Sequence, residues 1–421
     1  MEIDWRKRRM HLLVVSQCYY PEPFRINDIC KEWVKRGYEV TVVTGIPNYP
    51  EGRFYPGYGW FKKTSEIKDG VKIYHVPIVS RGNSLIRLVG NYISFVISGF
   101  TWQCFTHLKP DCVFIFETSP ITQALPAVWF ARKRHIPCDI YVQDLWPENV
   151  EFVTGLHNRY LIHLIDVMVD YIYNRCYNIY ATSNSFKKHL EKRDSTWTKV
   201  DGRRISKVMY WPQYAEEFYK PQFRVNKPWD IPDNNIFKIV FTGNVGFAQG
   251  LDVLPKAAAL LKEQGESCQF IIIGTGRYME NFRKDIEIEG VSDMFYLLGR
   301  KRPEEIPQYL AWCDAAFISF AENDIFKMTI PAKLQSYMAC GMPIVAAAGG
   351  ETKRIVEEAA CGMVARAGDY KDLCMCIKKL SSYSADDKKK MGMRALEYAE
   401  THFNKEQLFE IMDQIMKSRE Q

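Results

Sequence analysis

The chain has 421 residues, of which 47% are hydrophobic and 25% are charged. These are the proportions of a globular protein and exclude extensive disorder, and the length exceeds one ordinary core and indicates about two to three domains. The net charge of +6, from 56 basic and 50 acidic residues, is too small to indicate nucleic acid as a main partner. It suits anionic substrates or an anionic membrane surface.

The twelve cysteines are scattered, without a CxxC pair or a Cys/His cluster at zinc spacing. This pattern favours free thiols in a reducing cytosol and does not indicate a zinc site. The charged N-terminal residues lead into a short apolar run with no small-residue cleavage site. This run predicts a buried strand and not a signal peptide.

Apolar runs at residues 11–16 and 39–44, joined by a predicted helix that ends at Arg36 and Gly37, are typical of the start of a parallel sheet. Further strands are predicted at residues 71–77, 112–117, 138–143 and 178–182. The loop at residues 48–60 is rich in aromatic residues, glycine and proline, which is typical of a lid or a binding loop. The alternative is an insertion that only covers a sheet edge.

Residues 85–105 predict a long helix whose apolar side chains cover most of its circumference. Such a helix is buried in the core of its domain, rests in addition on lipid headgroups, or spans a membrane. A clean span is disfavoured because Arg87, Asn91 and Gln103 interrupt the apolar run. Peripheral membrane contact through Leu85–Phe105 is therefore one of our expectations.

Polar residues follow the predicted strand at 138–143. Asp144, Trp146 and Glu148 come directly after it, and the carboxyl end of a parallel strand is where ligands bind in α/β sheets. These residues therefore predict a chemical role for Asp144. The alternative is that Asp144 only caps a following helix, since Pro147 and Glu148 suit a first helical turn.

Residues 211–235 contain four prolines and no sustained periodicity, as in a linker. Strands and helices then alternate again. The pattern predicts an α/β protein with two Rossmann-like, doubly wound parallel-sheet domains facing a cleft. The predicted first domain is residues 1–214, the linker 215–235 and the second domain 236–395, with a final helical part, 396–421, expected to pack back on the first domain.

The stretch 329–351 predicts a phosphate site. Pro331 suits the first turn of a helix and Gly341 the position after its end, and the apolar run that follows predicts a buried strand. Thr329 and Lys333 then lie at a helix N-terminus, where unpaired N–H groups and a partial positive charge favour a phosphate. The alternative is an ordinary crossover with Lys333 on the surface.

Other loops of the second half follow predicted strands. The glycine-rich loop at 242–246 allows the backbone to approach a phosphate closely. The loop that begins at Gly274 resembles a dinucleotide motif, but the third glycine of GxGxxG falls on Met279, which argues against a nicotinamide cofactor. Gly299 and Arg300 either hold the base end of a nucleotide or form a surface turn.

Several runs of the chain resemble one enzyme family. FTGNVGFAQGLD, IIIGTG, LLGR and TIPAKLQSYMACGMPIVAAAGGE, in this order, resemble the C-terminal half of glycosyltransferase family 4, which has the GT-B fold. SQCYYPEPFRINDICKEW, GIPNYPEGR and QDLWPE resemble the N-terminal half of its O-antigen and capsule N-acetylfucosamine-type branch. The resemblance covers nearly the whole chain.

The resemblance implies retaining transfer of a sugar from a nucleotide sugar, usually UDP-linked, to a lipid-linked or glycan acceptor in bacterial surface polysaccharide synthesis. No metal takes part, and the enzyme works in the cytoplasm, peripherally on the inner face of the cytoplasmic membrane. The expected catalytic residues are Asp144, Lys333 and Glu351. The expected donor-binding residues are Gly243, Asn244, Gly274, Gly299, Arg300, Glu322, Thr329, Lys333, Gly350 and Glu351. The expected acceptor-side residues are Tyr20, Glu22, Arg25, Trp146 and Glu148.

The chain departs from the family pattern in its acidic residues. The common Glu-x7-Glu pair falls on Met328 and Ser336, so we look to Glu322 and Glu351 in its place. Gln249 stands where a basic residue is common, which leaves the diphosphate to Lys333, with help from Lys327. Phe24 and Arg25 replace glycines of the first loop.

Two other functions remain open. One is a sugar-nucleotide epimerase of the same architecture, which needs acid/base groups in the cleft, and no histidine lies beside the C-terminal loops. The other is a non-catalytic subunit that binds a nucleotide sugar or scaffolds an assembly. The missing glutamate pair favours this second alternative.

Overall fold

The computed structural model describes residues 9–82, 84–150, 158–222 and 226–419. The chain divides into two compact units, one that ends at Trp211 and one that begins at Pro212. This division falls inside the proline-containing stretch at 211–235. The residues predicted as a linker belong to the second unit.

The first unit contains an eight-stranded sheet in the order β10-β7-β6-β5-β1-β2-β4-β3, parallel except for β3. The predicted strands form from apolar runs that are buried in the sheet. β3, the β8–β9 hairpin and β10 were not predicted. The strands are β1 His11–Val15, β2 Glu39–Gly45, β3 Ser65–Lys68, β4 Val71–Val76, β5 Cys112–Glu117, β6 Cys138–Val142, β7 Asn178–Ala181, β8 Trp197–Val200, β9 Arg203–Ser206 and β10 Val208–Tyr210.

The helices of the first unit connect these strands. They are α1 Arg25–Lys35, α2 Leu85–Phe105, α3 Ala124–Arg134, α4 Arg159–Arg175 and α5 Asn184–Leu190. Right-handed crossovers place α2, α3 and α4 on the same face of the sheet, and α3 contacts both of its neighbours. Ser183 caps α5 by accepting a hydrogen bond from the N–H of Phe186.

The interpretation of α2 as a core helix is wrong. Its buried residues are one narrow stripe, Asn91, Phe95, Gly99 and Gln103, and the other side of the helix is exposed. Gly99 is close to α3, since a Cβ atom there would lie 2.9 Å from the Pro126 side chain. The helix therefore lies on the domain and keeps an open apolar face.

The second unit contains a six-stranded parallel sheet in the order β13-β12-β11-β14-β15-β16, which is the Rossmann order. Its strands are β11 Phe237–Thr242, β12 Cys268–Ile273, β13 Phe295–Gly299, β14 Ala315–Ser319, β15 Ile344–Ala347 and β16 Gly362–Ala365. Its helices are α6 Val253–Glu263, α7 Met279–Ile288, α8 Ile306–Leu310, α9 Asp324–Met328, α10 Ala332–Ala339, α11 Gly350–Glu358, α12 Tyr370–Ser381, α13 Ala385–His402 and α14 Lys405–Lys417. Buried apolar clusters cover both faces of this sheet. The two Rossmann-like α/β domains are therefore as predicted.

The final helical part predicted at 396–421 contains the end of α13 and the whole of α14. The apolar face of α14 is buried, and the ring of Phe409 lies 5.7 Å from that of Tyr214 within the second unit. Packing of residues 396–421 on the first unit stays a prediction.

Candidate active site

In the second unit the strand order reverses between β11 and β14, and ligands of open α/β sheets bind at such a switch point. The loops that leave these two strands are held together. The Ser319 hydroxyl donates to the Gln249 carbonyl oxygen at 2.6 Å, and the Ala321 N–H donates to that of Ala248 at 3.1 Å. The switch point is therefore a well-defined feature of the second unit.

Helix α10 presents Lys333 at this point. Pro331 precedes its first residue and Gly341 follows its last turn with φ +68°, so both predicted helix signals are confirmed. One turn after Lys333, the buried Tyr337 hydroxyl accepts a hydrogen bond from the Thr242 N–H at 2.8 Å. This bond ties α10 to the end of β11.

The Lys333 ammonium is a cation without an acidic partner among the described residues. Its hydrogen bond goes to the side-chain oxygen of Gln249 at 2.5 Å, and it lies 4.0 Å from the centre of the Phe241 ring. Burial lowers the pKa of Lys333 to about 7. Partly desolvated positive charge of this kind is stabilised by an incoming anion.

Sequence reasoning treated Gln249 only as the absence of a basic residue and missed its contact with Lys333. The two residues are 84 positions apart. The one available signal was the position of Gln249 in the loop after β11, where the family pattern that the chain resembles has a basic residue.

The glycine loops after β11 and β12 lie against each other. The Val245 N–H donates to the Thr275 carbonyl at 2.9 Å, and a Cβ atom on Gly274 would lie 1.8 Å from the Gly243 carbonyl oxygen. The glycine at 274 is thus required by backbone packing of the two loops. Gly243 and Asn244 remain exposed at the surface of this pair, and a Cβ atom on Gly243 would lie 3.8 Å from the Lys333 ammonium nitrogen.

Gly350 and Glu351 begin α11 and are held by protein contacts. A Cβ atom on Gly350 would lie 1.7 Å from the Lys327 carbonyl oxygen, so close packing of α9 on α11 explains this glycine. Glu351 is buried, and its Oε2 accepts two hydrogen bonds from the Arg354 guanidinium at 3.0 and 2.9 Å. Their donor-binding roles stay predictions.

The other predicted donor residues lie at the same edge of the second sheet. Thr329 follows α9, and its hydroxyl donates to the Ile325 carbonyl at 3.0 Å. Glu322 is exposed in the loop after β14. Gly299 ends β13 with φ +68° and its carbonyl accepts from the Gly274 N–H, while Arg300 is exposed after it.

In the first unit, Asp144 and Trp146 meet at Ser119. Oδ2 of Asp144 accepts from both the N–H and the hydroxyl of Ser119 at 2.7 Å, and the indole N–H of Trp146 donates to the Ser119 oxygen at 3.3 Å. Ser119, in the loop after β5, was not predicted as a site residue. Glu148 instead contacts His189 at 2.7 Å, which lowers the pKa of Glu148 against the effect of its burial.

Glu22 is buried and organises the loop at 48–60. Its Oε1 accepts hydrogen bonds from the N–H groups of Asn48 and Tyr49, both at 2.6 Å. Burial raises the pKa of Glu22 to about 7. A site residue predicted on the acceptor side therefore also fixes the start of the aromatic loop.

The first sheet reverses its order between β1 and β5, and polar groups are buried there. The Gln17 N–H donates to Oε1 of Gln123 at 2.7 Å. Glu117, at the end of β5, was not predicted; burial and then the nearby Asp144 charge raise its pKa well above the usual range. Tyr20 lies under the Lys68 ammonium in the first loop, and the partly buried Arg25 begins α1.

Residues 236–382 match the family model described as "Glycosyl transferases group 1". The amylovoran biosynthesis glycosyltransferase AmsK of Erwinia amylovora is 30% identical over 172 residues, which are 40% of this chain and 42% of AmsK. The chain spans about half the length of the first curated relatives it matches.

Two solved structures are similar to this chain along nearly its whole length. Sucrose-phosphate synthase from Thermosynechococcus elongatus has a TM-score of 0.74 at 13% identity, covering 97% of this chain and 99% of that chain. HepE of Anabaena, solved in complex with UDP and glucose, has a TM-score of 0.67 at 15% identity, covering 97% and 100%. At these identities the likeness concerns the fold, and it confirms GT-B.

Proposed function

Because residues 236–382 match the family model of glycosyl transferases group 1, we propose that the protein is a retaining glycosyltransferase. It transfers a sugar from a nucleotide sugar, UDP-linked, to a lipid-linked or oligosaccharide acceptor of a bacterial surface polysaccharide, either O-antigen or capsule. AmsK, by its name, is a glycosyltransferase of amylovoran biosynthesis, and HepE was solved with UDP and glucose. Neither a metal ion nor a cofactor takes part in the proposed reaction.

The observation that carries the proposal is the half-buried Lys333 ammonium at the switch point, which has no acidic partner among the described residues. A diphosphate supplies the missing negative charge. Its oxygens also accept hydrogen bonds from the first N–H groups of α10, whose N-terminus carries a partial positive charge. Asn244 and the residues at the ends of β13 and β14 then face the nucleoside and the sugar.

The proposed chemistry is electrostatic. As the bond to the leaving diphosphate breaks, negative charge grows on its oxygens while the sugar gains oxocarbenium character. A fixed ammonium and fixed N–H groups stabilise that charge without reorganising, and one such donor is worth about 10²–10³ in turnover. Lys333 has this role in our proposal, and Glu351, at the start of α11, is the proposed catalytic carboxylate of the second unit.

The acceptor is proposed to bind the first unit. Asp144 keeps one oxygen, Oδ2, bound to Ser119, and Trp146 lies next to it as an apolar surface for a sugar ring. Tyr20, Glu22, Arg25 and Glu148 complete the acceptor side. A lipid-linked acceptor makes the enzyme a peripheral protein of the inner face of the cytoplasmic membrane, in contact through Leu85–Phe105.

The test is release of UDP from a panel of UDP-sugars, with and without a lipid-linked acceptor. Lys333→Ala is expected to lower turnover about 10²–10³-fold. The matched control is Lys262→Ala, since Lys262 is exposed, lies outside the candidate site and pairs with Asp293 at 2.7 Å. Equal turnover of the wild type and Lys333→Ala would remove Lys333 from the site.

The same assay separates the two alternatives. An epimerase would interconvert two UDP-sugars without an acceptor and release no UDP. A non-catalytic subunit would bind UDP but leave every donor intact. Acceptor-dependent release of UDP contradicts both.

A further inference from the structure

Helix α2 is inverted relative to an ordinary surface helix. Its polar side chains face the protein: the Asn91 amide donates to the Val79 carbonyl at 2.6 Å, and the Ser94 hydroxyl accepts from the Val79 N–H at 2.9 Å. The Ser98 hydroxyl donates to the Pro77 carbonyl on the same side. A helix that pairs its polar side with the domain must present its apolar side outward.

The outward side of α2 is a continuous apolar stripe. Its residues are Ile86, Val89, Ile93, Ile97 and Phe100, all exposed, with Ile86 at 85%. Only 17% of the most apolar 18-residue stretch of the helix is buried. The helix contains no acidic residue and a single basic one, Arg87.

The stripe continues across the neighbouring helices. Phe100 contacts the Trp129 ring of α3 edge-on at 5.3 Å, and the Trp129 indole donates to the Tyr171 hydroxyl of α4 at 3.1 Å. Helix α4 adds its own exposed stripe, Tyr160, Leu164 and Val167, one helical turn apart. We call the exposed apolar residues of α2 and α4, with Trp129 between them, the three-helix face.

Basic residues surround this face. Together, α2, α3 and α4 carry six basic residues, Arg87, Arg132, Lys133, Arg134, Arg159 and Arg175. They carry two acidic residues, Asp166 and Asp170, and both are ion-paired with Arg193. A face with an apolar centre and a positive rim is complementary to a bilayer with anionic headgroups.

A loop beside α2 adds aromatic residues. Phe61 is 93% exposed, and the Trp60 indole donates to the Ile78 carbonyl at 2.9 Å, next to the residues that bind α2. Lys62 and Lys63 follow directly. Aromatic rings next to lysines are typical of segments at a membrane–water interface.

We propose that the three-helix face, together with Trp60 and Phe61, is the surface by which the protein lies on an anionic phospholipid bilayer. Helix α2 is a crossover between β4 and β5 and packs on α3 through its C-terminal half, so in this proposal it lies in the interface and does not span the membrane. This contact would present a lipid-linked acceptor to the Asp144 loop, and that role rests on the proposed function. The binding itself does not depend on catalysis.

The experiment is cosedimentation of the full chain with large unilamellar vesicles of phosphatidylcholine, with and without 30 mol% phosphatidylglycerol. The wild type is expected to bind the anionic vesicles about tenfold more tightly than the neutral ones. The double variant Ile93→Asp, Ile97→Asp should lose about tenfold or more in binding. The control Ile288→Asp, at an 80% exposed site on α7 of the second unit, should bind as the wild type.

Circular dichroism and the thermal midpoint of each variant verify folding. Wild type that binds neither vesicle, or a folded double variant that binds as well as the wild type, would overturn the proposal. Sedimentation velocity without lipid tests whether a second copy of the chain covers the face instead. A wild type that is dimeric, with a double variant that is monomeric, would support that alternative and contradict the proposal. Sugar transfer in detergent without vesicle binding refutes only this inference, and vesicle binding without transfer refutes only the proposed function.

Discussion

At the scale of single residues, the two candidate sites depend on ionisable groups whose surroundings displace their pKa. Lys333 is a partly desolvated base and Glu22 a buried acid, and burial brings the pKa of each to about 7. Small changes of pH near neutrality therefore change both charges. The two effects are separable by experiment.

We expect UDP affinity to fall as the pH rises through 7. The ammonium is charged below its pKa of about 7, and a bound diphosphate stabilises that charge, so binding takes up a proton above pH 7. Isothermal titration between pH 7 and pH 8.5 should show about a tenfold loss of affinity. Lys333→Met should bind weakly at all pH values, and the same pH slope in this variant would contradict the assignment.

Glu22 should make the fold less stable as the pH rises. Its pKa is raised from 4.5 to about 7 in the folded state, so between these values the folded chain holds more protons than the unfolded chain. Its contribution is therefore most favourable below pH 4.5 and is lost as the pH rises through 7. Relative to the wild type, Glu22→Gln should have a free energy of unfolding that is higher by up to about 3 kcal/mol at pH 8 and little changed at pH 4.5. Urea unfolding at the two pH values measures this difference. The exposed Glu51→Gln is the control and should show no such difference.

At the scale of elements, the loops of the candidate donor site are shaped by contacts between backbones. The loop after β12 can approach the loop after β11 only because Gly274 has no side chain and adopts φ +150°. The loop after β11 is likewise joined to the one after β14 by two hydrogen bonds. The backbone at Gly243 is thereby fixed before any ligand arrives.

Gly274→Ala should disturb this arrangement. Its Cβ atom would lie 1.8 Å from the Gly243 carbonyl oxygen, so the two loops must separate. We expect a loss of about 3 kcal/mol or more in the free energy of unfolding, together with weaker UDP binding. Gly265→Ala is the matched control, because this glycine also has a positive φ but no atom within 4 Å of the added Cβ. It should cost about 1 kcal/mol and leave UDP binding unchanged.

At the scale of the whole molecule, the chain has two units, each with its own sheet and its own buried core. The candidate phosphate site belongs to the second unit. A ligand that binds a folded unit raises the stability of that unit by mass action.

Calorimetry should therefore resolve the effect of UDP. We expect UDP at 100 times its dissociation constant to stabilise the second unit by about 2.7 kcal/mol and to raise its transition temperature. The transition of the first unit should move less. Lys333→Met should reduce the shift, and a shift confined to the first unit would contradict the location of the donor site.

Patterns that are local in the chain were sufficient for much of the fold. The helix between Pro331 and Gly341 and the strand after it were predicted because their signals lie within a few residues. The edge strand β3 was missed because it is short and mostly polar and lacks an apolar run. Gln249 and Ser119 were missed as well, because their contacts with Lys333 and Asp144 join residues 84 and 25 positions apart.

By itself, the sequence determined the alternation of strands and helices, the two Rossmann-like domains and the lysine at a helix N-terminus, since each follows from periodicity and turn residues close in the chain. Only the tertiary structure decided which side of α2 is buried. Periodicity locates the apolar and polar sides of a helix, but which side packs depends on what the neighbouring elements offer. Here the free backbone groups of Pro77 and Val79 pair with the polar side, so the apolar side stays outside.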